Sequence, residues 1–237
     1  MATQRGLFIT FEGGEGAGKS TQVQLLRQRL EASGRRVLQL REPGGTPLGE
    51  ELRQLILNSA NLAPNTELLL FLAARSELVQ KVIKPAVARG IDVICDRFID
   101  STTAYQGYGL GLSRDLITTL NAAVIDGCTP DVTVLLDIDP EAGLARASEG
   151  ASGDEIEGHW QQGLALETTD DTAARKGGKR VGGRDRAFHR RVHKGYQALA
   201  RAEPQRWLVL DATLSPDELS RSIWTRTEDL IAARQTS

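Results

Sequence analysis

Short apolar runs rich in β-branched residues alternate along the chain with segments whose apolar positions recur every three or four residues. Five of the runs predict strands: Leu7 to Phe11, Val37 to Leu40, Ile91 to Cys95, Val132 to Asp137 and Trp207 to Leu210. Each is nearly continuous apolar sequence, as expected of strands covered on both faces. The helical spacing predicts helices from Lys19 to about Ala32, Gly49 to Asn58, Thr66 to Ala88, Arg114 to Ile125, Pro140 to Ala147, Phe188 to Ala202 and Pro216 to Ala233. Pro85 has no amide hydrogen and should bend or end the third of these. Strands alternating with helices predict an α/β fold, a five-stranded parallel sheet flanked by crossover helices.

From Ser148 to Arg186 the pattern breaks. Glycine is frequent, and an acidic part (Glu149, Asp154, Glu155, Glu157, Glu167, Asp170, Asp171) gives way to a basic one (Arg175, Lys176, Lys179, Arg180, Arg184, Arg186). This stretch reads either as an excursion from a single domain spanning residues 1–237, placed as a lid, or as a solvated insertion with no role at a site. No internal repeat is present.

Composition narrows the function classes. Lys and Arg number 29 against 31 Asp and Glu, a formal net charge of −2, which argues against wholesale electrostatic binding of nucleic acid. Apolar residues at 40% place the chain among folded proteins. No run is long enough to span a membrane and no secretory leader is legible at the N-terminus. The two cysteines, Cys95 and Cys128, fit a reducing cytoplasm, with Cys95 expected as a buried thiol.

The strongest single motif is Gly13-Gly14-Glu15-Gly16-Ala17-Gly18-Lys19-Ser20, followed by Thr21. It fits the phosphate loop, G-x-x-x-x-G-K-[ST], between a predicted strand and a predicted helix. Glycines let successive N–H groups face phosphate oxygens at the positive end of a helix. Lys19 should reach the β and γ phosphates of ATP, and the Ser20 hydroxyl should hold Mg²⁺. A regulatory GTPase would carry an Asn/Thr-Lys-x-Asp motif to read its base, and none is present.

Two further segments follow predicted strands, where an open parallel sheet places its ligand crevice. They are Arg41-Glu42-Pro43-Gly44-Gly45-Thr46 and Asp96-Arg97-Phe98. Arg97 should land beside the phosphate loop and grip a second phosphate, and Asp96 occupies the position of a Mg²⁺-linked carboxylate.

Together with Phe11-Glu12-Gly13, Phe71-Leu72-Ala73-Ala74-Arg75, Ser101 to Gly107 and Pro130-Asp131, these segments closely resemble bacterial thymidylate kinases over nearly the whole chain outside the excursion. The resemblance implies the P-loop nucleoside monophosphate kinase fold and transfer of the ATP γ-phosphate to dTMP with Mg²⁺. It implies that Phe71 stacks on thymine, that Arg75 contacts a thymine carbonyl, and that Arg97 holds the dTMP phosphate with help from Arg53. It places Glu42 and Pro43 in the acceptor site and Thr102 and Gln106 near base or sugar. Tyr105 would crowd the sugar 2′ position, and Glu15 would lie near the acceptor's sugar and phosphate. Family members are commonly homodimers, and the apolar helix Thr66 to Ala88 could supply such a face, although burial inside the domain explains the same residues.

The sequence departs from the family in one respect. Gly16 and Ala17 occupy the loop position where some members carry a catalytic arginine, so a lid arginine is expected. The matching lid helix keeps Arg146 but lacks the arginines beyond it. Either the basic cluster Arg175, Lys176, Lys179 and Arg180 replaces them, or the chain binds both nucleotides and transfers phosphate slowly. Three functions therefore stand: a dTMP kinase, another nucleoside monophosphate kinase, and a catalytically weak nucleotide-binding protein.

Overall fold

The computed structural model describes residues 5–59, 62–149 and 186–235. Five parallel strands form one sheet: β1 (Phe8–Glu12), β2 (Val37–Arg41), β3 (Asp92–Asp96), β4 (Val132–Asp137) and β5 (Trp207–Asp211), in the order β2-β3-β1-β4-β5. All five lie within a residue of the predicted runs. The flanking helices are α1 (Lys19–Ala32), α2 (Pro47–Asn58), α3 (Pro64–Leu78), α4 (Lys84–Ala88), α5 (Ile99–Thr102), α6 (Arg114–Ile125), α7 (Pro140–Glu149), α8 (Arg186–Ala202) and α9 (Pro216–Gln235).

Strand periodicity sorts the residues of β1 onto two faces. Leu7, Ile9 and Phe11 pack into a core with Leu26 and Leu30 of α1 and Ile223 of α9. Phe8 enters a second core with Leu78, Ile83, Val93 and Ile125. Thr10 and Glu12 lie on the same side of β1 as Phe8 but are polar, so that face turns from apolar to polar towards the carboxyl end of the strand. The Thr10 hydroxyl lies 2.9 Å from that of Thr133 on β4, and Arg206 reaches the Thr133 hydroxyl at 2.7 Å and Asp100 of α5 at 2.7 and 2.9 Å. A buried polar layer thus runs beneath α5, with each member hydrogen bonded as burial requires.

One predicted helix and one segment without a predicted element differ from what is found. The segment predicted as one helix from Thr66 to Ala88 is α3 and α4 joined by a π-helical turn, Val79–Ile83. Lys84 N–H reaches back to Val79 O, which widens the turn just ahead of Pro85, so the proline enters α4 at its first turn, where a missing N–H costs nothing. Ile99 to Gly109, for which no helix is predicted, is helical throughout, α5 running into a π-helical stretch, Thr103–Gly109. Its threonines and glycines are poor helix formers. Packing overrides that preference: Ala104, Tyr105 and Gln106 are fully buried, and a Cβ on Gly109 would stand 2.5 Å from the Phe188 ring. At the excursion, Ser148 and Glu149 end α7 and Arg186 begins α8. Arg175, Lys176, Lys179 and Arg180 lie outside the described residues.

Candidate active site

The carboxyl ends of β1, β3 and β4 meet at the phosphate loop. Gly18 enters α1 with φ 89°, and Gly13 and Gly16 also hold positive φ, at 143° and 64°. Side chains rarely adopt that region, and a Cβ on Gly13 would stand 2.6 Å from Leu136 O. Lys19 is buried and curls over its own loop, donating from Nζ to Gly14 O at 3.0 Å and to Gly13 O at 3.3 Å. It therefore lies where phosphate oxygens would meet it. Ser20 and Asp96 line one open cleft beside the loop. A hydroxyl and a carboxylate are both oxygen donors suited to a hard cation, so the pair fits Mg²⁺.

The loop also leans on α7. Gly16 and Gly143 approach backbone to backbone: a Cβ on Gly143 would stand 2.3 Å from Glu15 O, and one on Gly16 would stand 2.1 Å from Gly143 O. Arg146, one helical turn further on, donates to Ala212 O past the end of β5 at 2.8 Å. In the sequence Gly143 carries no signal of this contact beyond being a glycine inside an otherwise ordinary helix.

On the other side of the loop, Glu42, Phe71, Arg75, Arg97, Ser101, Thr102 and Gln106 line a small cavity. Phe71 and Arg75 come from one face of α3. Arg75 is 1% exposed and makes five hydrogen bonds: two to Glu42 Oε2, at 2.8 and 2.6 Å, and one each to Thr102, Asn121 and Phe98 O. A guanidinium has five N–H donors, so all are engaged. Burial pushes the Glu42 carboxyl up while Arg75 pulls it down, with burial the larger effect. Gln106 donates to Glu67 at 2.8 Å. Arg53 reaches Pro43 O at 3.1 Å, which pins the turn after β2.

Arg97 is 2% exposed, and its backbone lies in the left-handed region, φ 68°. For a residue other than glycine this costs on the order of 1 kcal/mol or more and persists only where the surroundings enforce it. Its guanidinium sits over the Tyr105 ring at 5.1 Å and donates to Gly13 O at 3.2 Å, so it stands between the phosphate loop and the cavity. Beneath it lies Glu12, fully buried. Burial first, and then the nearby Asp100 carboxylate, push its pKa up to about 7 against the lowering effect of Arg97, Ser101 and Tyr196. Asn121, Glu67, Glu12 and Tyr196 were not among the site residues expected from sequence.

The thymidylate kinase family model matches residues 11–164. A thymidylate kinase of Deinococcus radiodurans is 47% identical over 221 residues, spanning 93% of this chain and 95% of its own. The chain belongs to the thymidylate kinase family. A thymidylate kinase of Synechococcus sp. (strain JA-3-3Ab) is 48% identical over 92% of this chain and 94% of its own. Among solved structures, the thymidylate kinase of Ehrlichia chaffeensis superposes with a TM-score of 0.70 at 33% identity, covering 94% of this chain and 99% of that one. The expected fold is therefore the observed one, and Arg41 to Thr46, Phe71 to Arg75, Asp96 to Phe98 and Ser101 to Gly107 contribute residues to the cleft and cavity, whereas Asp131 lies at the amino end of the sheet and accepts from Phe8 N–H at 2.7 Å.

The contact between α7 and the phosphate loop yields a signed expectation. Alanine in place of a helical glycine ordinarily stabilises by about 1 kcal/mol. Gly143→Ala should instead lower the melting temperature and raise KM for ATP several-fold, because its methyl group would meet Glu15 O. Thermal unfolding and steady-state kinetics check this, and a raised melting temperature would contradict it.

Proposed function

We propose that this chain transfers the γ-phosphate of ATP to dTMP, giving ADP and dTDP. The observation that carries the reading is Arg97, whose guanidinium lines the acceptor cavity and is hydrogen bonded to the phosphate loop at Gly13 O. One cation then serves both nucleotides, holding the acceptor phosphate in line with the γ-phosphate. Lys19 would exchange its loop carbonyls for the β and γ oxygens. An acceptor phosphate oxygen attacks the γ-phosphorus, the bond to the β-bridging oxygen breaks, and its electrons leave with ADP. Alignment and charge neutralisation are the protein's main contributions, and no side-chain nucleophile is needed. Ser20 and Asp96 would hold Mg²⁺, which when bound offsets charge on the donor phosphates.

Phe71 offers a ring face to the base, and Arg75 a directional donor. Since every Arg75 N–H is already bonded, a thymine carbonyl would share the Nη1 donor now bonded to Thr102, which also lines the cavity. Tyr105, under the Arg97 guanidinium, would crowd a 2′-hydroxyl, and Glu15, which lines the same pocket as Tyr105, would lie beside the sugar. Arg53, bonded to Pro43 O, would shape with it the turn around the acceptor phosphate.

The sequence supports a substitute lid, with Arg175, Lys176, Lys179 and Arg180 supplying the cation that family members place beyond Arg146. Removing all four to alanine should lower turnover of ATP with dTMP a hundredfold or more, since a transition-state arginine is worth on the order of 10³ to 10⁵ in rate. The intact chain should turn over dTMP at about 1 s⁻¹ or faster, in preference to UMP, dUMP and AMP. Binding of dTMP without turnover would instead favour a nucleotide-binding protein.

We also assign a cytoplasmic location, supported by the two buried free thiols, Cys95 and Cys128. A homodimer is supported by Leu55 of α2 and Leu69 of α3, exposed on two helices that pack together. Sedimentation of the intact chain should give twice the chain mass, and Leu69→Glu should return it to a single chain; a monomeric intact chain would refute the assignment.

A further inference from the structure

Arg97 is the hinge of the proposed reaction, and its setting extends to Glu12, Ser101 and Tyr196. The Glu12 carboxylate accepts from Phe98 N–H at 2.9 Å and Ser101 N–H at 3.2 Å, which fixes the turn following Arg97. The same carboxylate accepts the Ser101 hydroxyl at 2.5 Å and the Tyr196 hydroxyl at 2.8 Å. With both O–H bonds directed at Glu12, both oxygens are left to accept, and Arg97 Nη1 lies 3.3 Å from each. The charge of the arginine and that of the acid are thereby joined through two hydroxyls rather than by direct contact.

Tyr196 comes from α8, nearly a hundred residues from Arg97 in sequence, and is fully buried. Its ring packs edge-on against Tyr105, 6.2 Å between centroids, and the Arg97 guanidinium covers that same Tyr105 ring. One side chain therefore fixes Arg97 twice, by hydroxyl and by ring. The left-handed backbone of Arg97 makes such support necessary, because nothing local favours it.

We propose that Tyr196 is a positioning residue for Arg97, with Ser101 as its partner on Glu12, and that it sets the affinity for the acceptor phosphate without contacting it. The proposal rests on the reading that Arg97 holds that phosphate. Tyr196→Phe removes one oxygen and keeps the ring. It should raise KM and Kd for dTMP on the order of tenfold, as loss of a hydrogen bond to a charged group does, with KM for ATP unchanged. In an Arg97→Lys background the same substitution should add little, because the group it positions is gone. Ser101→Ala, which leaves Tyr196 intact, should shift dTMP affinity in the same direction, and it carries the test should the phenylalanine variant not fold. A dTMP affinity within twofold of the intact chain, equal losses for ATP and dTMP, or full additivity with Arg97→Lys would each overturn the proposal. An intact chain that forms no ADP with dTMP would overturn the reading beneath it, and this inference with it.

Discussion

A charge buried in a protein interior is tolerated only when its hydrogen-bonding capacity is met, and the acceptor half of this fold is organised around that demand at Arg75. Its five bonds reach the turn after β2 at Glu42, both ends of α5 at Phe98 O and Thr102, and α6 at Asn121. Leaving either charge unpaired would be costly, so the loop, the short helix and the longer helix assume one arrangement relative to α3. The cavity bearing Phe71 is the space that arrangement leaves.

The same logic is repeated two strands along the sheet. Glu12 ends β1 as Glu42 follows β2, and each acid anchors an arginine that lines the cavity. The means differ. Glu42 meets Arg75 directly at 2.6 Å, whereas Glu12 meets Arg97 through hydroxyls. The first guanidinium has every donor engaged within the protein, and the second also reaches Gly13 O of the phosphate loop. The directly paired arginine suits a base, which needs a fixed direction; the one held through hydroxyls suits a phosphate, which needs charge in reach of the donor nucleotide.

Much of this was legible in the sequence because strand periodicity and the glycine-lysine loop are local signals. The strands, the loop and the positions of Arg97 and Asp96 at strand ends followed from them. What was not legible depends on tertiary contact. Ile99 to Gly109 reads as a loop by propensity, and only burial of Tyr105 and Gln106 makes it helical. Glu12 could be quoted within a motif but not given a role, since its partners lie 86 to 184 residues away. Tyr196 has the helical spacing of a core residue, and its hydroxyl carries no sequence signal. Gly143 looks like a weak point in α7 until the phosphate loop is seen against it.

On the proposed function, the buried Glu42–Arg75 pair prepares the acceptor pocket before any nucleotide arrives. The direct measurement is calorimetric binding of dTMP to the Glu42→Gln chain beside the intact one. Gln keeps the shape and removes the charge facing Arg75. Affinity for dTMP should fall on the order of ten- to a hundredfold while ATP affinity holds, because a hydrogen-bonded charge pair in the pocket wall has been broken. Unchanged dTMP affinity in a folded Glu42→Gln chain would contradict it.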